Sequence, residues 1–517
     1  MAFRLAFDIG SKNIKCAIGD ENDDIVAIES IRPAVSCSDD GFCRSYDHST
    51  YWNDIIALAR RTIATSRVDA ASIKYITCSS IRPSCTFVDA VGNLVHIGSS
   101  FDLRGINVAD TIEAKFEAMS GSSFFKATGH FPLLMYPPAR YAWYRESEPD
   151  VFARIARYMP VDSWLLGKFG AEDHANIASA AESGFLDITR KDWCPEWTEL
   201  LELPPDFLPP VVDSGEIVGD VSKEIQQTLG LPRDAAVVSG MPDTQAALVG
   251  AGCINDLDAA IVFGSTAPVQ AIKRDLAFDE AGRLWTTRIT LKNVVDSHVI
   301  EASTGITGQL LAWIGGLLFD KDGHFKKEHL AAIDEEYARL DAEELANPAE
   351  AKDVLAFLGP DLLASSSSAI LPGVVVFPTP GTVDEAMLSR RQLVAATFEN
   401  IMFAARKNLE IVQAIAGRGV DPPSLLGGMT RSHVFCQRFA DLLNGSVRTT
   451  MEKESTISGL FHACSVAAGT IKSGKGLKQL VESGTRVATV SPRDKMVDVL
   501  QRRYARWITM REKVKGL

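Results

Sequence analysis

One short pattern occurs twice in the chain, at positions about 255 residues apart. Residues 3–18 consist of an apolar run, a turn that contains Gly10 and Ser11, and a second run in which apolar and polar residues alternate. Residues 259–272 repeat this order, with glycine and two hydroxyl residues in the turn. Runs separated by such turns predict paired strands. A repeat at this spacing indicates two related domains and not a solenoid, whose repeats are far shorter.

The length of the chain limits how many such domains it can form. At about 150 residues per domain, 517 residues allow roughly two to four domains. The repeat favours two, so we predict an α/β chain with an N-terminal domain over residues 1–240 and a C-terminal domain over residues 241–517. Apolar residues at three- and four-residue spacings predict a long helix over residues 391–415 that stops at Gly417.

Two polar segments are predicted to lie on the surface. Residues 321–353 are rich in charge, and their acidic part, residues 334–350, indicates a solvated helix. A run of serines at residues 365–368 predicts a loop.

The charge balance narrows the class of ligand. With 53 Lys+Arg against 66 Asp+Glu, the formal net charge is −13, which excludes a general affinity for nucleic acids or anionic membranes. Any phosphate compound must therefore be held by a few local donors. The nine cysteines are scattered and form no CxxC pair, which is typical of free thiols in a reducing compartment. No apolar stretch favours a membrane span. We therefore expect a cytoplasmic protein.

The first glycine turn carries groups that suit a phosphate. Glycine lets backbone N–H groups approach a phosphate closely, the hydroxyl and amide side chains add neutral donors, and a lysine adds charge. Asp8, at the end of the strand, could hold a water ligand of Mg²⁺. The alternative is an ordinary hairpin turn. The candidate phosphate ligands here are Gly10, Ser11, Lys12 and Asn13.

A second candidate phosphate turn and a glycine pair lie in the C-terminal half. Gly264, Ser265 and Thr266 form the repeated turn, and two facing turns could clamp a polyphosphate between two lobes. Gly427 and Gly428 follow a short predicted strand and precede a helix, where they could leave flat space for an adenine ring. The alternative for this pair is a plain strand–turn–helix.

Asp243 lies at a predicted strand-to-helix junction within residues 240–250. It could be the N-cap of that helix. It could instead be a carboxylate that points into a cleft and acts as a general base.

Taken in order, these segments resemble the FGGY carbohydrate kinases of the actin-like ATPase superfamily. Residues 101–104, 162–165 and 176–179 are similar to further landmarks of that family. The resemblance implies two ribonuclease-H-like domains with ATP and Mg²⁺ in the cleft between them. It implies transfer of the ATP γ-phosphoryl group to a hydroxyl of a small sugar or polyol.

The resemblance also implies roles for particular residues. Asp243 would accept the hydroxyl proton and, with Asp8, help to hold Mg²⁺. The two glycine turns would bind phosphates, and Gly427 with Gly428 would border adenine and ribose. Gln245 could bind a substrate hydroxyl, or it could be a surface residue on the first helical turn. The remaining candidate substrate ligands are Arg82, Asp102 and Arg104.

Several departures from the family pattern concern the acceptor. Pro83 stands where Arg-type members carry a glutamate, Ser99 and Ser100 replace a tryptophan, and residues 377–381 replace a charged loop. The acceptor could therefore be a ketose such as xylulose, a polyol such as glycerol or erythritol, or an open-chain sugar like autoinducer-2. An actin-like ATPase switch and a regulatory homologue without a substrate remain as alternatives, and a homodimer is possible.

Overall fold

A computed structural model describes residues 2–362, 372–379, 388–417, 419–420, 422–450, 454–482 and 487–516. The serine run at 365–368 and the end of the altered loop at 380–381 lie outside the described residues.

The strands up to residue 242 are β1 (Phe3–Ile9), β2 (Ile14–Gly19), β3 (Ile25–Ile31), β4 (Val35–Cys37), β5 (Arg44–Tyr46), β6 (Ile73–Ser80), β7 (Ser84–Val88), β8 (Leu94–Ser99), β9 (Arg157–Met159), β10 (Ala175–Asn176), β11 (Leu186–Asp187), β12 (Asp192–Trp193), β13 (Val211–Val212), β14 (Ile217–Asp220), β15 (Ala236–Val238) and β16 (Met241–Pro242). Those beyond it are β17 (Ala259–Val262), β18 (Thr266–Lys273), β19 (Trp285–Leu291), β20 (Val295–Ile306), β21 (Leu355–Phe357), β22 (Val374–Val376), β23 (Ser424–Leu426), β24 (Val447–Thr450) and β25 (Val487–Val490).

The helices are α1 (Tyr51–Ser66), α2 (Ala109–Ser120), α3 (Phe124–Thr128), α4 (Pro137–Ser147), α5 (Pro149–Phe152), α6 (Val161–Phe169), α7 (Ile177–Ala181), α8 (Pro195–Leu200), α9 (Lys223–Leu229), α10 (Asp243–Gly250), α11 (Gly308–Phe319), α12 (His329–Ala346), α13 (Arg390–Ala416), α14 (His433–Leu443), α15 (Ser455–Ala467), α16 (Gly474–Glu482) and α17 (Asp494–Val514).

The first large sheet has the strand order β14-β15-β6-β1-β2-β3, and β16 also pairs with β6. β1 is antiparallel to β2 but parallel to β6, and β6 is parallel to β15. Every residue of β1 after Phe3 is buried, as expected for a central strand covered on both faces.

The second large sheet repeats this plan. Its order is β19-β20-β18-β17-β23-β24-β25, with β17 antiparallel to β18 and parallel to β23. β17 therefore corresponds to β1, β18 to β2 and β23 to β6. The sequence repeat is confirmed as two sheets of the same topology, and the predicted α/β fold of two ribonuclease-H-like halves is confirmed with it. The division at residue 240 stays a prediction, and β16 of the first sheet lies just beyond it.

Two helices join the sheets by packing unusually closely. α15, from the second half, packs against α10 and against β1 and β6 of the first sheet. A Cβ added at Gly459 would lie 1.9 Å from the carbonyl oxygen of Ala246, and one at Gly250 would lie 2.0 Å from that of Ser455. Only glycine permits this approach on both helices. Because α10 begins at Asp243, the crossing also fixes where that carboxylate lies.

The helix α13 was predicted from periodicity, and its bounds confirm the prediction to within one residue at each end. Ser389 and Gln392 form a capping box at its start. Gly417 ends it in the left-handed conformation, with φ 78°.

The prediction that the acidic segment 334–350 is a solvated helix is wrong for one face of α12. Asp341 and Glu344 lie one turn apart on that face and are buried. Arg438 Nη1 lies 3.1 Å from Asp341 and 3.0 Å from Glu344, and Arg503 Nη2 lies 2.5 Å from Glu344. These acids are buried because arginines from α14 and α17 neutralise them, a pairing that the local charge pattern does not reveal.

No helix within the described ranges is both long enough and apolar enough to cross a membrane.

Candidate active site

A cavity of about 500 Å³ lies between the two sheets. Its walls include Asp8, both glycine turns, Arg82 and Asp243, so residues from both halves of the chain meet there. The predicted phosphate ligands Gly10, Ser11, Lys12, Asn13, Gly264, Ser265 and Thr266 all line it.

The first turn is closed by a hydrogen bond of 3.0 Å from the Gly10 N–H to the Asn13 carbonyl. A Cβ at Gly10 would lie 2.9 Å from that same oxygen, so a side chain at this position would crowd the turn. Ser11 and Lys12 are half-buried and Asn13 is exposed. Burial and the nearby Arg32 lower the pKa of Lys12.

The second turn is held by the start of α11. The Gly264 N–H donates to the Thr266 carbonyl over 2.9 Å, and the Thr307 N–H donates to the Ser265 carbonyl over 2.9 Å. A Cβ at Gly308 would lie 2.7 Å from the Gly264 carbonyl oxygen, so glycine is needed where α11 meets the turn. Ser265 and Thr266 remain exposed and line the cavity.

Asp8 lies at the base of the cleft, at the end of β1. The Ser79 hydroxyl donates to Asp8 Oδ1 over 2.9 Å, and Lys15 Nζ lies 3.6 Å from Asp8 Oδ2. Lys15 also pairs with Glu454 from the second half, over 2.5 Å. Burial raises the pKa of Asp8, and the attraction to Lys15 only partly offsets this effect.

Asp243 is the first residue of α10, and the N-cap is Pro242, so the simple N-cap alternative is wrong. Its Oδ1 accepts a hydrogen bond of 2.7 Å from the Thr244 N–H, and 31% of its side chain is exposed. Loss of hydration in the cleft raises the pKa of Asp243 to about 7. Arg82 opposes this rise and Asp8 adds to it. A pKa near neutrality suits a general base.

Arg82 is held by two glutamates that the sequence reasoning missed. Its Nη1 donates to Glu182 Oε1 over 2.9 Å, and its Nη2 donates to Glu301 Oε2 over 2.8 Å. Burial would raise the pKa of Glu182, but Arg82 and His130 together hold it well below its usual range. Burial raises the pKa of Glu301 despite Arg82.

One signal in the sequence could have revealed Glu301. It is a charged residue inside β20, where the residues on either side of it are apolar and buried. Acids are rarely buried in a strand unless they are paired. Glu182 follows the short helix α7, and nothing in its local sequence distinguishes it from a surface acid.

Three predicted substrate ligands do not line the cavity. Asp102 is fully buried and accepts from Arg104 Nε over 2.9 Å, while Arg104 also donates to the Tyr144 hydroxyl. Gln245 is fully buried and donates to Glu182 Oε1 over 2.7 Å. In this structure the polar groups of these residues bind other residues of the protein, and a contact with the substrate stays a prediction for all three. The surface alternative for Gln245 is wrong.

The glycine pair lies beside the cavity and does not line it. Gly427 has φ 91°, and a Cβ there would lie 2.5 Å from the Phe263 carbonyl oxygen, so glycine is required for β23 to pass close to β17. No heavy atom of the described residues outside its immediate neighbours lies within 4 Å of a Cβ placed at Gly428. A contact with adenine stays a prediction for both.

Comparison with known proteins shows which family and which fold the chain resembles. Residues 3–250 match the N-terminal domain of the FGGY family of carbohydrate kinases, and residues 259–468 match its C-terminal domain. An autoinducer-2 kinase of Klebsiella pneumoniae is 22% identical over 522 residues, covering 99% of this chain and 94% of its own. The ligand-bound xylulose kinase of Lactobacillus acidophilus has the same fold, with a TM-score of 0.81 at 16% identity over 100% of this chain and 99% of its own. Glycerol kinase of Plasmodium falciparum, solved with ADP, gives a TM-score of 0.81 at 17% identity, over 99% of this chain and 98% of its own.

Proposed function

Because the chain belongs to the FGGY family of carbohydrate kinases, we propose that it transfers the γ-phosphoryl group of ATP to a hydroxyl of a small sugar or polyol, with Asp243 as general base. One observation carries this proposal. Asp243 shares a single cleft with two glycine turns that come from opposite sheets.

The turns supply the donors that a nucleotide phosphate needs. Ser11, Lys12, Ser265 and Thr266 line the cavity, so their hydroxyls and the charge of Lys12 would be the local donors to phosphate. Gly427 and Gly428 would border the adenine and ribose. A phosphoryl transfer requires mainly positioning and neutralisation of charge, which this arrangement provides.

The acidic groups of the cleft fit a magnesium ion. Asp8 and Asp243 both line it, burial raises the pKa of each carboxyl, and Asp8 raises that of Asp243 further. Carboxylate oxygens are the ligands that Mg²⁺ prefers. These two residues would hold the ion, and when bound it would neutralise charge on the phosphate oxygens.

Asp243 performs the proton transfer in this scheme. Its carboxylate accepts the proton of the acceptor hydroxyl as the oxygen of that hydroxyl forms a bond to the γ-phosphorus. The bond between the γ-phosphorus and the bridging oxygen breaks, and ADP leaves. The hydrogen bond from the Thr244 N–H to Oδ1 orients the carboxylate.

Arg82 marks the acceptor end of the cleft, because it lies next to Asp243 and lines the same cavity. The candidate acceptors are a ketose such as xylulose, a polyol such as glycerol or erythritol, and an open-chain sugar like autoinducer-2.

The test is ADP release by the full-length protein with ATP and Mg²⁺, measured against a panel of these acceptors. The proposal predicts ADP release that depends on at least one acceptor. Slow hydrolysis with no dependence on any acceptor would instead favour the actin-like ATPase switch. ATP binding without turnover would favour a regulatory homologue.

A further inference from the structure

The guanidinium group of Arg82 is already engaged by the protein. Nη1 donates to Glu182, and Nη2 donates to both oxygens of Glu301, at 3.0 and 2.8 Å. The side chain is only 10% exposed. Both terminal nitrogens, with which an arginine usually forms a bidentate pair with a carboxylate or phosphate, therefore already bind a glutamate.

Both glutamates are held in place by further donors. Gln245 donates to Glu182 Oε1 over 2.7 Å, and His130 Nε2 lies 3.1 Å from Glu182 Oε2. Gln270 donates to Glu301 Oε2 over 2.7 Å. Both acids are buried, so turning either away from Arg82 would leave a buried charge unpaired.

Among the described residues, the ion-pair partners of Arg82 are three carboxylates, so its positive charge is more than balanced by the protein. Three carboxylates, Glu182, Glu301 and Asp243, surround Arg82. Both ring nitrogens of His130 face oxygens that only accept, the Thr128 carbonyl and Glu182, so any charge on His130 is paired as well.

Two of the five N–H donors of Arg82 remain, one on Nη1 and the one on Nε. Nε is buried, and no acceptor in the described part of the chain lies within hydrogen-bond range of it. The nearest carboxylate oxygen, Asp243 Oδ1, is 3.6 Å away. A hydroxyl group could accept from one of these two donors and donate to a glutamate oxygen, because it does both. A carboxylate could only accept, and it would lie beside three like charges.

We propose that the acceptor is an uncharged polyhydroxyl compound and that the Arg82–Glu182–Glu301 triad excludes sugar acids. This inference rests on the proposed function, and it names Glu182 and Glu301 as residues that determine specificity. Juxtaposed like charges and unpaired buried groups are the usual means by which a site rejects a wrong ligand.

The experiment compares neutral and acidic compounds of equal carbon number, such as a polyol or ketose against the corresponding aldonate. Ligand-induced shifts of Tm report binding, and ADP release reports turnover. For the wild-type protein we expect kcat/KM for the best neutral compound to exceed that for its aldonate by at least about 100-fold. Glu301→Gln removes one negative charge with little change of shape. It should lower the ratio of the two kcat/KM values, neutral compound over aldonate, by about tenfold or more.

Glu280→Gln is the matched control, since Glu280 is 79% exposed and pairs at the surface with Lys126. It should leave the ratio unchanged. If Glu301→Gln does not fold, Glu182→Gln tests whether removing a carboxylate beside Arg82 lowers the preference for neutral compounds. If neither variant folds, the ratio of kcat/KM for the neutral compound to that for the aldonate, measured on the wild-type protein, tests the inference.

The outcomes separate the two claims. Binding of neutral compounds without turnover supports the inference and contradicts the proposed kinase activity. Preferred turnover of an aldonate supports the kinase and overturns the inference. A panel in which nothing binds or reacts contradicts both.

Discussion

Arg82 Nε lies 3.6 Å from Oδ1 of Asp243, too far for a hydrogen bond but close enough for electrostatic attraction. The two glutamates that hold the terminal nitrogens of Arg82 set this separation. Asp243 therefore lies beside a positive charge that is fixed in place and partly neutralised.

Replacing Arg82 should reduce both stability and activity. Arg82→Gln leaves Glu182 and Glu301 buried without their cation, so we expect the free energy of unfolding to fall by about 3–5 kcal/mol. We expect kcat/KM to fall as well, because the acceptor wall loses its order. Urea unfolding and ADP release measure the two effects. Arg190→Gln is the control, because that arginine is 54% exposed. It should lower the free energy of unfolding by less than about 1 kcal/mol. Equal losses in the two variants would contradict this account.

The rate should depend on pH through Asp243. A general base must be deprotonated, and burial in the cleft raises the pKa of Asp243 to about 7. We therefore expect kcat/KM to be nearly constant above pH 7 and to fall about tenfold per pH unit below it. Because Arg82 lowers this pKa, Arg82→Gln should move the fall to higher pH. A profile that stays flat down to pH 5.5 would count against Asp243 as the base.

The close crossing of α10 and α15 should tolerate no side chain. In Gly459→Ala the new Cβ would lie 1.9 Å from the Ala246 carbonyl oxygen, so one helix must move. We expect a loss of at least about 1–3 kcal/mol in the free energy of unfolding, together with lower activity, because Asp243 begins α10. Gly167→Ala is the control. It lies in α6 with nothing within 4 Å of the added Cβ, and it should be neutral or slightly stabilising.

The buried acids behind α12 should prove essential to the second half. Glu399 Oε1 accepts from Arg438 Nη2 over 2.5 Å and from Arg503 Nη1 over 2.8 Å. Glu399→Gln should lower the free energy of unfolding by about 3–5 kcal/mol, since it leaves buried charge uncompensated. Glu335→Gln, which breaks an exposed pair with Arg339, should change it by less than about 1 kcal/mol. If the two variants unfold at the same urea concentration, the buried ion pairs of Glu399 with Arg438 and Arg503 do not stabilise the second half as we describe.

Much of the fold and part of the site could be predicted from local patterns. The repeated strand–glycine–strand unit predicted two related domains, and the structure has two sheets of the same topology. The glycine turns of both units line one cleft. The residues of the cleft that the prediction missed, Glu182 and Glu301, are those whose partner lies far along the chain. Arg82 meets Glu182 and Glu301, which are 100 and 219 positions away.

The burial of Asp102 and Arg104 could not be predicted for the same physical reason. They are polar residues next to a predicted substrate strand, but both are buried, and Arg104 also donates to Tyr144, 40 positions away. A sequence pattern gives the spacing of such residues along the chain. It does not give the direction in which a polar side chain finds its partner, because that depends on packing between elements distant in sequence.

The central claim, that Asp243 is the general base of an acceptor-dependent kinase, is tested most directly by Asp243→Asn. Asp110→Asn is the matched control, since it too changes an aspartate in the first turn of a helix, α2, at an exposed site outside the cleft. With the best acceptor of the panel, we predict that Asp243→Asn lowers acceptor-dependent ADP release by about 10²- to 10⁴-fold, while ATP still binds and Asp110→Asn keeps wild-type activity. Acceptor-dependent ADP release by Asp243→Asn within about tenfold of the wild-type rate would contradict the account.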